Sequence, residues 1–166
     1  MKEIMFQAAA IDTGDKTEFY SELAQQLEAL LHGEPNMIAN AANTSALMFQ
    51  TMPDLNWAGF YFLDSDDELV LGPFQGKPAC VRIPVGRGVC GTAVKEGQSI
   101  LVEDVHAFPG HIACDAASRS ELVVPVRRHG RVIGVIDLDS PEPARFDRDD
   151  QAGIEKLAAI FAAAIG

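Results

Sequence analysis

Three thiols, and a loop rich in imidazole and carboxyl groups, are where chemistry is most readily found in this sequence. Cys114 lies in the segment Val105 to Glu121, which also carries His106, His111, Asp115, Arg119 and Glu121. A thiol near cationic groups can ionise at neutral pH, and the thiolate is the nucleophile. Without such surroundings Cys114 is a passive cysteine on a surface loop. A metal centre from His106, His111 and Cys114 is not expected, because the spacing matches no zinc-ligand signature and no close cysteine pair accompanies it. Cys80 falls on an expected strand, where a cysteine is ordinarily core. Cys90 falls at an expected helix start, either as a small packed residue or as a thiol whose pKa the helix N-terminus lowers. An odd count of three closes no disulfide framework. The thiols are then either three reduced cysteines of a cytoplasmic protein or a redox set gathered around the loop thiol.

A second anomaly is the run Val132-Ile133-Gly134-Val135-Ile136-Asp137-Leu138-Asp139. Strand residues two apart share a face, so Ile133, Val135, Asp137 and Asp139 lie on one side and Val132, Gly134, Ile136 and Leu138 on the other. Both faces are apolar along most of the run, as in a covered central strand, yet two carboxylates follow each other on one of them. Either the strand emerges into solvent by Asp137, or the pair stands at a pocket mouth. There it would suit a ligand ammonium or, with one pKa raised, proton donation. Trp57, the single tryptophan, shares a strand face with Gly59 and Tyr61, as core or as ligand wall. Gly59 and Gly134 mark close packing or backbone approach to a ligand.

The elements that must hold these residues follow from periodicity. Phe19, Leu23, Leu27 and Leu30 stripe a helix from about Asp15 to His32, with a capping box at Asp15 and Glu18 and a stop at Gly33. Pro35 suits the first turn of a second helix that ends near Met52. Expected strands run over Trp57–Leu63, Leu69–Phe74, Ala79–Ile83 and Ser99–Glu103, with a short helix Val89–Lys95 between the last two. Asp104–Ser120 lacks a period and reads as a long loop. Leu122–Arg127 and Arg131–Asp139 form a hairpin around His129-Gly130, in which Pro125 implies an irregular or edge strand. A last helix covers Asp147 to Ile165. The fold class is α+β: a central antiparallel sheet of about six strands, the N- and C-terminal helices on one face, and loops closing a pocket on the other.

The chain has 166 residues, which fits one domain spanning 1–166, with 48% hydrophobic and 22% charged residues. Thirteen basic against twenty-four acidic side chains leave a net charge of −11 with no basic stripe, which argues against nucleic acid. No apolar run approaches a membrane span, and Met1 to Ala10 does not read as a signal peptide.

Five segments together carry a resemblance: Trp57-Ala58-Gly59-Phe60-Tyr61, Gly86-Arg87-Gly88-Val89-Cys90-Gly91-Thr92-Ala93, His111-Ile112-Ala113-Cys114-Asp115, Ser118-Arg119-Ser120-Glu121 and Gly134-Val135-Ile136-Asp137-Leu138-Asp139-Ser140. From about Tyr20 to Ile160 the chain resembles the free methionine-R-sulfoxide reductases, small enzymes on the GAF fold. The resemblance implies reduction of free L-methionine R-sulfoxide, with thioredoxin as reductant and no metal or cofactor. It implies that Cys114 attacks the sulfoxide sulfur and becomes a sulfenic acid, that Cys80 is the preferred resolving thiol, and that Cys90 is a secondary one. It also places Glu121, Asp137 and Asp139 in the substrate pocket.

Chemistry makes sense of those roles. Sulfoxide oxygen is a poor leaving group and needs a proton donor, here Glu121 or Asp139. Three crowded carboxyls cannot all ionise cheaply, and those that do can take the substrate ammonium. Backbone N–H groups and Arg119 are candidates for its carboxylate, and Trp57 for its methyl group. A nearby thiol diverts a sulfenic acid to a reducible disulfide. The small-residue helix faces allow a homodimer, which the resemblance favours. A GAF module that senses a ligand or redox state without turnover is the alternative.

Overall fold

The structure is a computed structural model that describes residues 6–112 and 114–166. The reading of Met1 to Ala10 therefore lies in part outside the described residues. Helix α1 (Lys16–Leu31) starts where the Asp15 side chain accepts from the backbone N–H of Thr17 and Glu18. Only that half of the expected capping box forms, because the Glu18 carboxylate accepts from the Thr13 hydroxyl instead. Helix α2 (Met37–Thr51) is capped by Asn36, which puts Pro35 ahead of the cap rather than inside the first turn. Six strands follow, β1 (Trp57–Ser65), β2 (Glu68–Gly76), β3 (Arg82–Pro84), β4 (Ile100–Val102), β5 (Ser120–Arg128) and β6 (Arg131–Ser140), with α3 (Gly88–Glu96) between β3 and β4. Helix α4 (Arg148–Ala164) ends the chain and carries the full reciprocal box, Asp147 with Asp150.

The sheet is antiparallel in the order β3-β2-β1-β6-β5-β4. Its two faces bury separate cores. Ala58, Phe60, Leu122, Val124, Ile136 and Leu138 pack against the helical layer, where Leu23, Leu27, Ile154, Leu157 and Phe161 close the other side. Facing the opposite way, Trp57, Tyr61, Val123 and Val135 pack with Val89, Cys90 and Ala93 of α3. The α+β layering expected from periodicity is thus observed, with α3 joining the loops on the second face. An ion-pair network centred on the buried Asp150 ties the terminal helices together: Lys16 Nζ reaches Asp150 at 2.7 Å and the exposed Asp147 at 2.9 Å, and the Tyr20 hydroxyl donates to Asp150.

Three local expectations change. The strand expected over Ala79–Ile83 shrinks to Arg82–Pro84, so Cys80 stands in the preceding loop, where only Val81 still accepts a bond from Leu71 N–H. Pro125 lies on an interior strand, but β4 ends opposite Val123, so no strand asks Pro125 for the N–H it lacks. Between Val126 and Arg127 the register slips from Gly134 to Val132, leaving Ile133 as an extra residue on β6. This bulge turns Ile133 to the helical core, away from the Asp137 face on which strict alternation puts it.

Candidate active site

The face opposite the helices builds a cleft from three adjacent central strands. Register places Trp57 of β1 opposite Asp139 of β6, and Asp139 opposite Glu121 of β5, so the three side chains form one row across the sheet. One pleat further, Gly59, Asp137 and Val123 form the next row. A Cβ on Gly59 would collide with Phe74, and the Trp57 ring lies 2.9 Å from the same spot. Close side-chain packing, not ligand approach, therefore explains that glycine. The indole stacks between Phe74, at 5.1 Å between ring centroids, and Tyr61, at 5.9 Å. Gly134 is a case of the same kind, since a Cβ there would meet the Tyr61 carbonyl.

Loops and α3 close this platform. The start of α3 brings Cys90 down onto the carboxylates: its Sγ and one oxygen each of Glu121 and Asp137 all lie within 4.8 Å of one another. Gly88, at φ +61°, adopts a left-handed conformation, and a Cβ on it would press to 3.2 Å from Ile112, so the 105–119 loop seats directly on the helix start. That loop is pinned at its ends by Val105 N–H to Arg119 O and Arg119 N–H to Ser140 O. Over the mouth, Cys80 and Cys114 form a disulfide with 5.7 Å between their Cα atoms. Cys90 is free and buried. The Cys80 segment is tethered from below, because the Tyr61 hydroxyl donates to Cys80 O at 2.8 Å and Trp57 Nε1 donates to Lys77 O at 3.2 Å.

Asp137 is buried, only 6% exposed. The reading in which β6 surfaces before its two carboxylates is therefore excluded. Burial, reinforced by Asp137 and Asp139, holds the Glu121 carboxyl far above the usual range. Burial and the neighbouring Asp137 do the same to Asp139. Burial also raises Asp137, but hydrogen bonds from Glu121 and Cys90 favour its anion and pull it back. The division is chemically useful: burial and like charge favour the protonated forms of Glu121 and Asp139, while hydrogen bonds favour the anion at Asp137, whose Oδ1 is buried with no hydrogen-bond partner among the described residues. Cys90 sits at a helix start, yet burial and the surrounding acids raise its thiol rather than lowering it. His111, 3.7 Å from Glu121, is held below its usual value by burial and by His106, and so is neutral.

Other residues fall outside this arrangement. His106 is on the surface beside Asp104 and does not join His111 or Cys114. Arg119 is exposed and contributes no side chain to the cleft. Lys77 is the cation that lines it among the described residues, with Asp115 and Ser118 on the same rim. Asp115 was noted from sequence as one of the loop's acids and Ser118 within the resembling segments, neither with a role; Lys77 was not singled out, and neither was Asn56, whose side chain donates to Asp115 at 3.1 Å and Ser118 at 3.0 Å. Asp115 accepts from Ala117 N–H as well as Asn56, which keeps it ionised. Loop residues give no periodic signal, whereas Tyr61 was legible as the residue two positions past Gly59 on the Trp57 face.

Comparison with known proteins gives these features a context. Residues 39–166 match the GAF domain family. The chain is 57% identical over 145 residues to the free methionine-R-sulfoxide reductase of Escherichia coli K12, covering 87% of each chain. To the enzyme of the same description from Saccharomyces cerevisiae it is 42% identical over 154 residues, 89% of this chain and 86% of the other. The solved free methionine-R-sulfoxide reductase of Neisseria meningitidis, in complex with its substrate, superposes with a TM-score of 0.92 at 45% identity. That match covers 96% of this chain and 95% of that one.

Proposed function

The chain belongs to the free methionine-R-sulfoxide reductases of the GAF domain family, and from that premise we propose that it reduces free L-methionine R-sulfoxide to L-methionine as one catalytic unit spanning residues 1–166. The observation that carries the reading is a disulfide between Cys80 and Cys114 directly over a cleft floored by buried acids. The unpartnered Asp137 Oδ1 accepts from the substrate ammonium, and Lys77 with nearby backbone N–H groups meets the substrate carboxylate. Trp57 and Tyr61 wall the methyl and sulfur end.

In the reduced enzyme the Cys114 sulfur attacks the sulfoxide sulfur. A proton from Glu121 or Asp139 assists cleavage of the S–O bond. The sum of this half-reaction is thiol plus sulfoxide giving sulfenic acid plus methionine. Cys80 then displaces water from the sulfenic sulfur and forms the disulfide, which limits over-oxidation. Cys90 is the secondary thiol of the set. A reduced dithiol protein of the thioredoxin class returns both cysteines to thiols and leaves with the disulfide. The need for such a reductant suits the cytoplasm, where thiols are kept reduced. A homodimer through the small-residue helix faces is compatible with the open outer surface of α2, where Ile38 is 67% exposed.

The test is methionine release from the R and S epimers by fully reduced enzyme without any reductant. About one methionine per enzyme from the R epimer alone, with loss of two thiols, is expected. No methionine from a folded, reduced sample would leave a sensing GAF module as the reading.

A further inference from the structure

One thiol and two carboxylates in this cleft are arranged for more than an amino acid. Cys90 Sγ, a Glu121 oxygen and an Asp137 oxygen lie mutually within 4.8 Å, and all three residues are buried. That is the spacing of donors around one small cation, since ligands 2.0–2.3 Å from a metal stand ~3.3–3.8 Å apart in tetrahedral coordination and close by small rotations. They come from three elements, α3, β5 and β6, of which the two strands are neighbours in the middle of the sheet, so the donor set is held rather than flexible. Independently, Asp137 lines the cleft, and its Oδ1 is buried with no hydrogen-bond partner among the described residues. A polar atom desolvated without a partner calls for a donor or a cation.

We infer that Cys90, Glu121 and Asp137 form a site for a thiophilic divalent cation, zinc(II) by preference, that occupies the cleft in competition with an amino-acid ammonium. The thiolate donor disfavours magnesium and calcium, which take oxygen ligands, and three protein donors leave a fourth position facing the cleft for water. His111, 3.7 Å from Glu121, stands beside the set as a neutral imidazole able to orient that carboxylate. Binding displaces both the Cys90 thiol proton and the Glu121 carboxyl proton to solvent and supplies Asp137 Oδ1 with a positive partner. The consequence for the molecule is inhibition by free zinc, reversible by chelation and independent of the loop disulfide.

The oxidised protein offers a clean test. With Cys80 and Cys114 joined, Cys90 is the sole thiol among three cysteines, so any thiolate-to-metal absorption must arise from it. Oxidised, full-length protein is titrated with cobalt(II) as the spectroscopic probe, and zinc(II) is then used to displace it. One equivalent of cobalt with a thiolate charge-transfer band, bleached by zinc, is expected. Asp137→Asn and Glu121→Gln, each shown to be folded by circular dichroism, should each weaken cobalt binding about tenfold or more. No band at millimolar cobalt overturns the inference, and so does a band whose strength neither carboxylate variant changes. Because the readout involves no turnover, it stands or falls separately from the reductase reading.

Discussion

Tyr61→Phe isolates the tether between the cavity wall and the resolving thiol. In the structure the Tyr61 hydroxyl donates to the Cys80 carbonyl at 2.8 Å, and that residue's thiol must reach Cys114. Removing the hydroxyl keeps the ring that stacks on Trp57 and deletes one hydrogen bond of about 1 kcal/mol net. If that energy holds the Cys80 loop in its closing geometry, the closed population falls about fivefold, because about 1.4 kcal/mol is a factor of ten. Disulfide closure should slow by the same factor, while the first chemical step, which does not use Cys80, keeps its rate. Rapid quench of reduced enzyme mixed with free L-methionine R-sulfoxide separates the two: methionine reports the first step, and dimedone labelling of Cys114 reports sulfenic acid that has not yet closed. The variant should show an unchanged methionine burst and a longer-lived dimedone-reactive species. Equal slowing of both steps would mean that Tyr61 acts on substrate, and unchanged closure would mean that the loop needs no tether.

Other perturbations probe other parts of the same reasoning. Cys80→Ser should release close to one methionine per enzyme and then stall, and steady turnover with thioredoxin at the normal rate would move the resolving role to Cys90. Glu121 and Asp139 carry folded-state values raised by burial and by neighbouring carboxylates, so their protons are present at low pH and lost as pH rises through those values. The single-turnover rate should therefore decline on the alkaline side, and Glu121→Gln or Asp139→Asn should lower it about 100-fold if that residue is the donor. The same groups bind more protons folded than unfolded, so stability should fall as pH rises from about 4 towards the raised values. Urea melts of chelator-treated protein across this range should show a flatter profile for Glu121→Gln, and a profile equal to the parent's would contradict the buried-acid argument. Phe161→Ala, in the opposite core against Phe60 at 4.6 Å between ring centroids, should cost about 3–5 kcal/mol of stability. A loss under about 1 kcal/mol by denaturant melts would contradict the packing described for that face.

Periodic elements were readable because their side chains answer to one geometric rule. The two-residue alternation that put Asp137 and Asp139 on one face of β6 survives in the structure, and it made the acid pair legible before any contact was known. It failed at Ile133, where a bulge adds a residue; the adjacent Gly134 was the local signal for it, but the same glycine fits close packing equally well. Cys114 was legible as a loop thiol, but its pairing with Cys80 came from family resemblance, since the two are separated by 34 residues and no period links loops. Arg119 drew attention by its charge in an acidic chain but is exposed and does not line the cleft. Lys77 and Asn56 were overlooked, and Asp115 and Ser118 were seen without a role, for the converse reason: polar residues in turns are ordinary until the fold brings them to one rim.

The lone indole has a use beyond walling the cleft. Trp57 is the molecule's single tryptophan, it is buried between two rings, and its N–H is bonded to the segment that carries Cys80. Emission excited at the red edge of the absorption band, where the two tyrosines do not absorb, therefore comes from one place. A sulfur bridge nearby quenches indole fluorescence, and a polar guest beside the ring shifts its colour. Oxidation, reduction and cleft filling can each be followed in real time with no dye attached, as changes in brightness and wavelength of one built-in lamp.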